Sequence, residues 1–153
     1  MKNWAFASLI VFMACCKGTS SDCPYFEGIS LYFKDELYIS LNDIKDEHIF
    51  YVLDLQACEQ CVNLNTNMLM RVKANKKLTI VFVGETFNKQ FLNRVAVLKK
   101  RFEFLTDTKM AVYGYQTNLA KPLLIHVNKG HCVNVIDVID PKISEAEVYI
   151  NSI

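Results

Sequence analysis

Two cysteines in the middle of the sequence have the spacing of a redox-active pair. Cys58 and Cys61 follow an apolar stretch that predicts a strand, and they precede a segment that predicts a helix. Residues three positions apart lie one helical turn apart, so Cys58 can be exposed at the helix N-terminus while Cys61 lies beneath it and closes a disulfide. The helix end lowers the pKa of the outer sulfur. The pair therefore predicts thiol–disulfide exchange.

Two carboxylates beside this pair are candidates for proton transfer. Asp54 lies near the end of the predicted strand, and Glu59 lies between the two cysteines. A carboxylate near the inner thiol can move its proton while the disulfide is resolved. Glu59 also repels the thiolate of Cys58, which raises the pKa of that thiol. For Asp54, a polar residue that only ends the strand is the alternative.

The first residues have the pattern of an export signal. Lys2 precedes an apolar run at 4–14 that is too short to span a bilayer, and Cys15 follows directly. Residues 12–15, Phe-Met-Ala-Cys, are similar to a bacterial lipobox, in which the cysteine is lipidated and becomes the mature N-terminus. We therefore expect export and lipid anchoring at Cys15 to a bacterial membrane, facing the periplasm or the cell exterior. A plain signal peptide or an uncleaved anchor is the alternative.

The composition is that of one globular domain. Of the 153 residues, 52% are hydrophobic and 22% are charged, and 17 basic against 16 acidic residues give a net charge of +1. No basic stripe stands apart from the acidic residues, which argues against a nucleic-acid partner. We expect a signal peptide at 1–15, a tether at 16–23 and a single domain at 24–153.

The hydrophobic pattern predicts strands that alternate with helices. Two nearly continuous apolar runs predict strands buried on both faces, as in parallel sheets, and a later pair joined by 128–131 predicts an antiparallel hairpin. Thr86 is a suitable N-cap for the second helix, and 144–147 match a capping box. The predicted strands are 49–55, 78–83, 123–127 and 132–138, and the predicted helices are 58–73, 87–102 and 144–152.

The beginning of the domain predicts a β-hairpin. Short β-type runs at 29–33 and 36–39 surround Lys34 and Asp35, and a short helical turn at 41–45 follows. With this hairpin in front, the remaining elements describe a mixed sheet that is covered on both faces.

From Ile29 to the C-terminus, the order of motifs resembles the membrane-anchored thioredoxin-like proteins of the TlpA-like and AhpC/TSA-like superfamily. The motifs that carry the resemblance are 39–44 before the apolar strand, the cysteines at 58 and 61, Phe-Leu-Thr-Asp at 104–107, Tyr-Gly at 113–114, Lys-Pro at 121–122 and Asn-Lys-Gly at 128–130. The resemblance implies an α/β, thioredoxin-like fold with a mixed central sheet, helices on both faces and an extra N-terminal β-hairpin. It also implies that Pro122 is a cis-proline beside the disulfide and that the backbone of Lys121 pairs with a bound substrate strand.

The function that the resemblance implies is an envelope thiol–disulfide oxidoreductase that needs no cofactor and no metal. Cys58 would form the mixed disulfide with a protein thiol substrate and Cys61 would resolve it, with an upstream redox partner restoring the pair. The chain departs from the family at Ala57, where a tryptophan is usual, and at Glu59 and Gln60, where Gly-Pro or Pro-Pro is usual. A redox-inactive lipoprotein that acts as a binding or interaction module is therefore the alternative.

Two further activities fit the sequence less well. The peroxidatic pattern Pro-x-x-x-Thr-x-x before the first cysteine is missing, because Tyr51 and Leu55 hold the two positions. A metal carrier would use the thiolates and a histidine, but the copper chaperones of this superfamily have three residues between their cysteines. His126 in an apolar strand is more typical of a structural residue than of a ligand, and His131 lies near the predicted turn.

The remaining cysteines leave two interpretations open. Once the lipidated cysteine and the motif pair are set aside, Cys16, Cys23 and Cys132 remain, an odd number with no motif spacing. One interpretation is a bridge between Cys23 and Cys132. The other is that Cys132 is a small buried hydrophobic residue on a strand.

Overall fold

A computed structural model describes residues 23–85 and 88–153. The predicted signal peptide, the predicted lipidation site at Cys15 and nearly all of the predicted tether lie outside these residues. The strands are β1 (His48–Asp54), β2 (Leu78–Val83), β3 (Glu103–Asp107), β4 (Leu123–Asn128) and β5 (His131–Asp137). The α-helices are α1 (Phe26–Glu36), α2 (Glu59–Arg71), α3 (Lys89–Leu98) and α4 (Ile143–Asn151), and the short 3-10 helices are η1 (Leu41–Asp43) and η2 (Ala111–Gly114).

The five strands form one mixed sheet in the order β3-β2-β1-β4-β5. The pairs β1–β2 and β2–β3 are parallel, whereas β1–β4 and β4–β5 are antiparallel. The predicted thioredoxin-like α/β fold with a mixed central sheet is therefore confirmed. The carboxyl end of β1, where the chain leaves for the two cysteines, lies beside the start of β4, because Val52 pairs with Leu123.

The sheet is buried on both faces, as the apolar runs predict. Along β1, Ile49, Tyr51 and Leu53 pack in a core cluster with residues of α2, α3 and α4. The alternate residues Phe50 and Val52 pack in a second cluster with residues of α1. Successive side chains of a strand point to opposite faces, so a central strand covered on both sides needs apolar residues at every position.

The predicted N-terminal hairpin is wrong, because the structure has the helix α1 at this position. Ile29, Tyr32 and Phe33 recur at helical spacing and are all buried against the sheet. Their aromatic and β-branched side chains favour strands locally, but burying one helical face against the sheet outweighs that preference. The helical turn predicted at 41–45 is confirmed as η1 at Leu41–Asp43.

The edge strand β3 has no counterpart among the predicted strands. It is five residues long, and its members are mostly exposed or half-buried, so its apolar signal is weak. Its strand conformation therefore depends on pairing with β2 rather than on an apolar pattern in its own sequence.

The bounds of two helices also differ from prediction. Helix α3 ends at Leu98 rather than 102, and Asn88 is its N-cap, with a side chain that accepts hydrogen bonds from the amides of Gln90 and Phe91. The predicted cap Thr86 lies outside the described residues. Helix α4 begins at Ile143, which places Ser144 inside the first turn instead of at the cap, and Glu147 binds Arg71.

The predicted hairpin β4–β5 is confirmed, with a tight turn at Lys129 and Gly130. Both residues have positive φ, 51° and 73°, as a type I′ turn requires. Gly130 also lies so close to the carbonyl of Asn42 that a Cβ atom would clash with it. The turn is therefore packed against η1 at the end of the sheet away from Asp54.

A disulfide joins Cys23 to Cys132, which resolves the alternative that the sequence leaves open. Cys132 pairs with Val127 of β4, and Val127 pairs with His48 at the start of β1. The bond therefore attaches the beginning of the described chain to the hairpin end of the sheet. That end is about 20 Å from Asp54, since β1 rises roughly 3.3 Å per residue.

Candidate functional site

The predicted redox pair lies where β1 passes into α2. Cys58 is the N-cap of α2, and its Sγ accepts a hydrogen bond from the Cys61 amide at 3.1 Å. The two cysteines form a disulfide with their Cα atoms 5.3 Å apart. Cys58 is exposed and Cys61 is half-buried. The outer sulfur is thus open to an attacking thiol while the inner one is sheltered.

The helix behind the pair is held at both ends. Val62, Met68 and Leu69 on its apolar face are buried against the sheet and the neighbouring helices. At its C-terminal end, Arg101 donates to the carbonyls of Met70, at 2.7 Å, and Val72. The last carbonyls of a helix lack hydrogen-bond donors within the helix, and the guanidinium of Arg101 supplies donors to two of them.

Asn65 connects the inner cysteine to the middle of the sheet. Its Nδ2 donates to the Cys61 carbonyl at 2.8 Å, and its Oδ1 accepts a hydrogen bond from the Tyr51 hydroxyl. Both side chains are buried, and burial raises the pKa of Tyr51 above its usual value. This contact was not predicted from the sequence. A polar residue on the buried face of α2, one turn after Cys61, is the signal that could have revealed it.

Asp54 lies at the end of β1 and its carboxylate is held by two partners. Oδ1 accepts the Gln56 amide at 2.8 Å, and Oδ2 accepts the Tyr113 hydroxyl. Burial, then the hydrogen bond and charge of Asp54, raise the pKa of Tyr113 to about 12. Within the described residues, no hydrogen bond joins Asp54 to either sulfur. Its predicted role in proton transfer stays a prediction, and Tyr113 is a site residue that the sequence analysis did not assign.

The turn that carries Tyr113 is fixed by a buried aspartate. Asp107 accepts the amides of Ala111 and Val112, each at 3.0 Å, and the hydroxyl of Tyr32 at 3.2 Å. Its side chain is only 6% exposed. The start of η2 is therefore held independently of the contact between Tyr113 and Asp54.

Lys121 and Pro122 lie at the same end of the sheet as Asp54, because β4 begins beside the end of β1. The cis peptide bond of the described chain is Asp140–Pro141, so the expectation of a cis bond before Pro122 is wrong. The Pro122 carbonyl accepts the Val138 amide at 2.7 Å, and the chain runs from there directly into β4. The Nζ of Lys121 is 3.4 Å from a carboxylate oxygen of Asp137. The predicted contact of this segment with a substrate strand stays a prediction.

Glu59 is exposed in the first turn of α2, directly after Cys58. A negative charge at this end stabilises the helix, and it also acts against the thiolate next to it. The site thus combines a helix N-terminus that favours the thiolate with one side chain that disfavours it.

The buried His126 and the half-buried His48 have structural partners. His126 contacts the Tyr149 hydroxyl through Nδ1 at 2.6 Å, and its Nε2 is 3.3 Å from Glu47. His48 contacts Thr79 at 2.8 Å. Burial lowers the pKa of both histidines, and at His126 it outweighs the opposing charge of Glu47. In residues 23–85 and 88–153, no three potential metal-binding side chains lie together.

We expect the protein to lose stability as the pH falls from 7 to 5. The unfolded chain takes up a proton on His126 near pH 6.5, whereas the folded protein resists it because its pKa is lower. The unfolded state then binds more protons, so the free energy of unfolding decreases. His126→Asn, which can still meet the Tyr149 hydroxyl, should show a smaller decrease in urea unfolding measured at several pH values.

The matched control for this titration is His131→Asn, which replaces an exposed histidine. We expect its stability to follow the parent across the same range. A His126→Asn protein that loses as much stability as the parent between pH 7 and 5 would contradict the assignment.

Comparison with known proteins gives matches only among solved structures. No protein-family model and no curated protein matches the sequence. A secreted disulfide oxidoreductase of Mycobacterium tuberculosis, described as homologous to DsbE of E. coli, has a TM-score of 0.48 and 12% identity over 71% of this chain and 82% of its own. A putative thiol-disulfide oxidoreductase from Bacteroides vulgatus has a TM-score of 0.40 and 18% identity over 74% of this chain and 78% of its own.

Proposed function

We propose that the protein is a thiol–disulfide oxidoreductase that acts on protein thiols through Cys58 and Cys61. The observation that carries the proposal is the disulfide at the N-terminus of α2, with an exposed Cys58 and a half-buried Cys61. A purely structural disulfide at this position would add little to the free energy of unfolding, since it closes a loop of only a few residues. The exposed sulfur at a helix N-terminus is instead suited to exchange.

The proposed reaction is a two-electron exchange through a mixed disulfide. A substrate thiolate attacks the Sγ of Cys58, which forms a substrate–Cys58 bond and releases Cys61 as a thiolate. A second substrate thiolate then attacks the substrate sulfur of that bond and releases Cys58. The substrate dithiol is oxidised and the pair is reduced, and the reverse sequence reduces a substrate disulfide. An upstream partner restores the starting state.

Three neighbouring residues have proposed roles in this reaction. Asp54 and Glu59 are the candidates to take up or return the proton of a released thiolate. Asp54 accepts a hydrogen bond from the hydroxyl of Tyr113, whose pKa is raised to about 12 by burial and by Asp54. The backbone of Lys121, beside the end of β1, is the candidate to pair with a substrate strand.

We place this activity in the bacterial cell envelope, with the protein anchored by lipid at Cys15. The lipobox-like residues 12–15 support this proposal. The Cys23–Cys132 disulfide supports it as well, because such bonds persist in oxidising compartments and are rare in the cytosol. In the described part of the chain, every helix is too short or too polar to cross a bilayer.

The test is a redox titration of the full-length protein in glutathione buffers, with alkylation and mass spectrometry reporting the state of Cys58 and Cys61. We expect a reversible midpoint within the range of known thiol oxidoreductases. Cys58→Ser should reduce exchange with a dithiol protein at least about 100-fold, because the attacked sulfur is lost. When the Cys61→Ser variant is instead given a protein disulfide, the Cys58 thiolate attacks it, and a mixed disulfide should accumulate because the thiol that resolves it in this direction is missing.

A pair that never forms a disulfide, or that resists reduction throughout the buffers, would overturn the proposal. The protein would then be a thioredoxin-like module whose function is binding. The Cys61→Ser variant makes the distinction independently, since a binding module would trap no substrate covalently.

A further inference from the structure

Helix α2 carries two buried polar side chains in the turn that follows Cys61. Asn65 and Thr66 are 1% and 0% exposed. Each donates to the carbonyl four residues earlier, Asn65 to Cys61 at 2.8 Å and Thr66 to Val62 at 2.6 Å. Buried polar groups are costly unless they are hydrogen-bonded, and asparagine is a weaker helix former than leucine. The asparagine therefore needs an explanation beyond packing.

Asn65 differs from Thr66 in having a second buried partner on the sheet. Its Oδ1 accepts the hydroxyl of Tyr51, which is fully buried. Tyr51 lies in the middle of β1, paired on one side with Ile80 and on the other with Leu124. Because β1 is paired on both sides, this hydrogen bond attaches the first turns of α2 to the centre of the sheet.

The two cysteines are consequently connected to β1 by different routes. Cys58 follows the end of the strand through the loop at 55–57, whereas the carbonyl of Cys61 is tied to the strand's centre through Asn65 and Tyr51. The residues between the cysteines, Glu59 and Gln60, include no proline that would fix the backbone φ angle. The restraint on Cys61 comes from the side chains beneath it.

We propose that Tyr51 and Asn65 are positioning residues that hold Cys61 where its sulfur meets that of Cys58, and that they thereby favour the disulfide over the dithiol. The inference rests on the proposed redox function of this pair. Two groups held in place react with a high effective concentration, and freedom gained by one of them lowers it. Loss of the tie to β1 would free the first turn of α2 mainly in the dithiol form, which has no covalent bond to restrain it.

The experiment compares the full-length parent with Tyr51→Phe/Asn65→Leu in glutathione buffers, using alkylation and mass spectrometry. The double variant removes both polar partners and keeps their approximate shapes, a change that is close to neutral for folding. We expect the equilibrium constant for forming the Cys58–Cys61 disulfide to fall about fivefold or more. Tyr51→Phe alone, which removes one hydroxyl, should shift the constant less and in the same direction.

The matched control is Thr66→Val, which removes the same kind of buried hydrogen bond from the adjacent residue. It should change the stability of α2 while leaving the disulfide equilibrium within twofold of the parent. An unchanged constant in the double variant, or an equal shift in Thr66→Val, would overturn the positioning role. A parent protein that does not cycle would instead overturn the proposed function.

Discussion

Replacing Cys23 and Cys132 together by serine is expected to lower the free energy of unfolding by about 4 kcal/mol. The bond joins residues 109 positions apart, so it removes a large amount of conformational freedom from the unfolded chain. Its loss also frees the segment that precedes α1. Helix α1 covers one face of the sheet. Urea unfolding of the variant and the parent, under conditions that keep the second disulfide oxidised, measures the difference.

The matched control is Cys58→Ser/Cys61→Ser, which removes a disulfide between residues only three positions apart. The entropy of closing so short a loop is small, so we expect the control to lose much less stability than the Cys23/Cys132 variant. Equal losses in the two proteins would mean that Cys23–Cys132 does not constrain the fold as the structure indicates.

Asp107→Ala is expected to destabilise the protein by about 4 kcal/mol. Its carboxylate accepts the amides of Ala111 and Val112 and the hydroxyl of Tyr32, and the substitution leaves all three donors without that acceptor. Burial, followed by the charge and hydrogen bond of Asp107, raises the pKa of Tyr32, so its hydroxyl remains a donor at any ordinary pH. Urea unfolding measures the loss.

Tyr32→Phe is the control, since it removes one of the three hydrogen bonds and keeps the ring in the core. We expect a loss of about 1 kcal/mol for this change. Hydrogen exchange at the amides of Ala111 and Val112 should accelerate in Asp107→Ala and remain slow in Tyr32→Phe. Equal stability of the two variants would contradict the inference that the hydrogen bonds that Asp107 accepts from the amides of Ala111 and Val112 stabilise η2.

The sequence predicts most of the sheet, because the strands that form its centre are long, apolar and bounded by turns. The strand β2 has the predicted bounds, and the hairpin β4–β5 follows from an Asn-Lys-Gly turn. The sequence of α1 predicts a hairpin because its aromatic residues favour strands, whereas packing on the sheet stabilises the helix. The strand β3 is invisible in the sequence, since it is held by pairing with β2 rather than by burial of its own side chains.

The site is predictable only as far as local sequence determines it. The spacing of Cys58 and Cys61 identifies the pair, whereas Tyr113 reaches Asp54 from 59 residues away through the path of the chain after β3. From the sequence alone, Asn65 is only a poor helix former. Its hydrogen bond with Tyr51 becomes evident only in the folded structure. Contacts between distant segments depend on the assembled fold, which no single segment encodes.

The Cys23–Cys132 bond also determines at which end of the sheet the described chain begins. Cys23 is bonded to the hairpin end of the sheet, and Cys58 lies beyond the opposite end, more than about 20 Å away along β1. With the proposed lipid at Cys15, only the eight residues 16–23 separate the membrane from that end. Under that proposal, the hairpin end would lie nearer the lipid headgroups, and the exposed sulfur of Cys58 would lie at the end farther from the membrane.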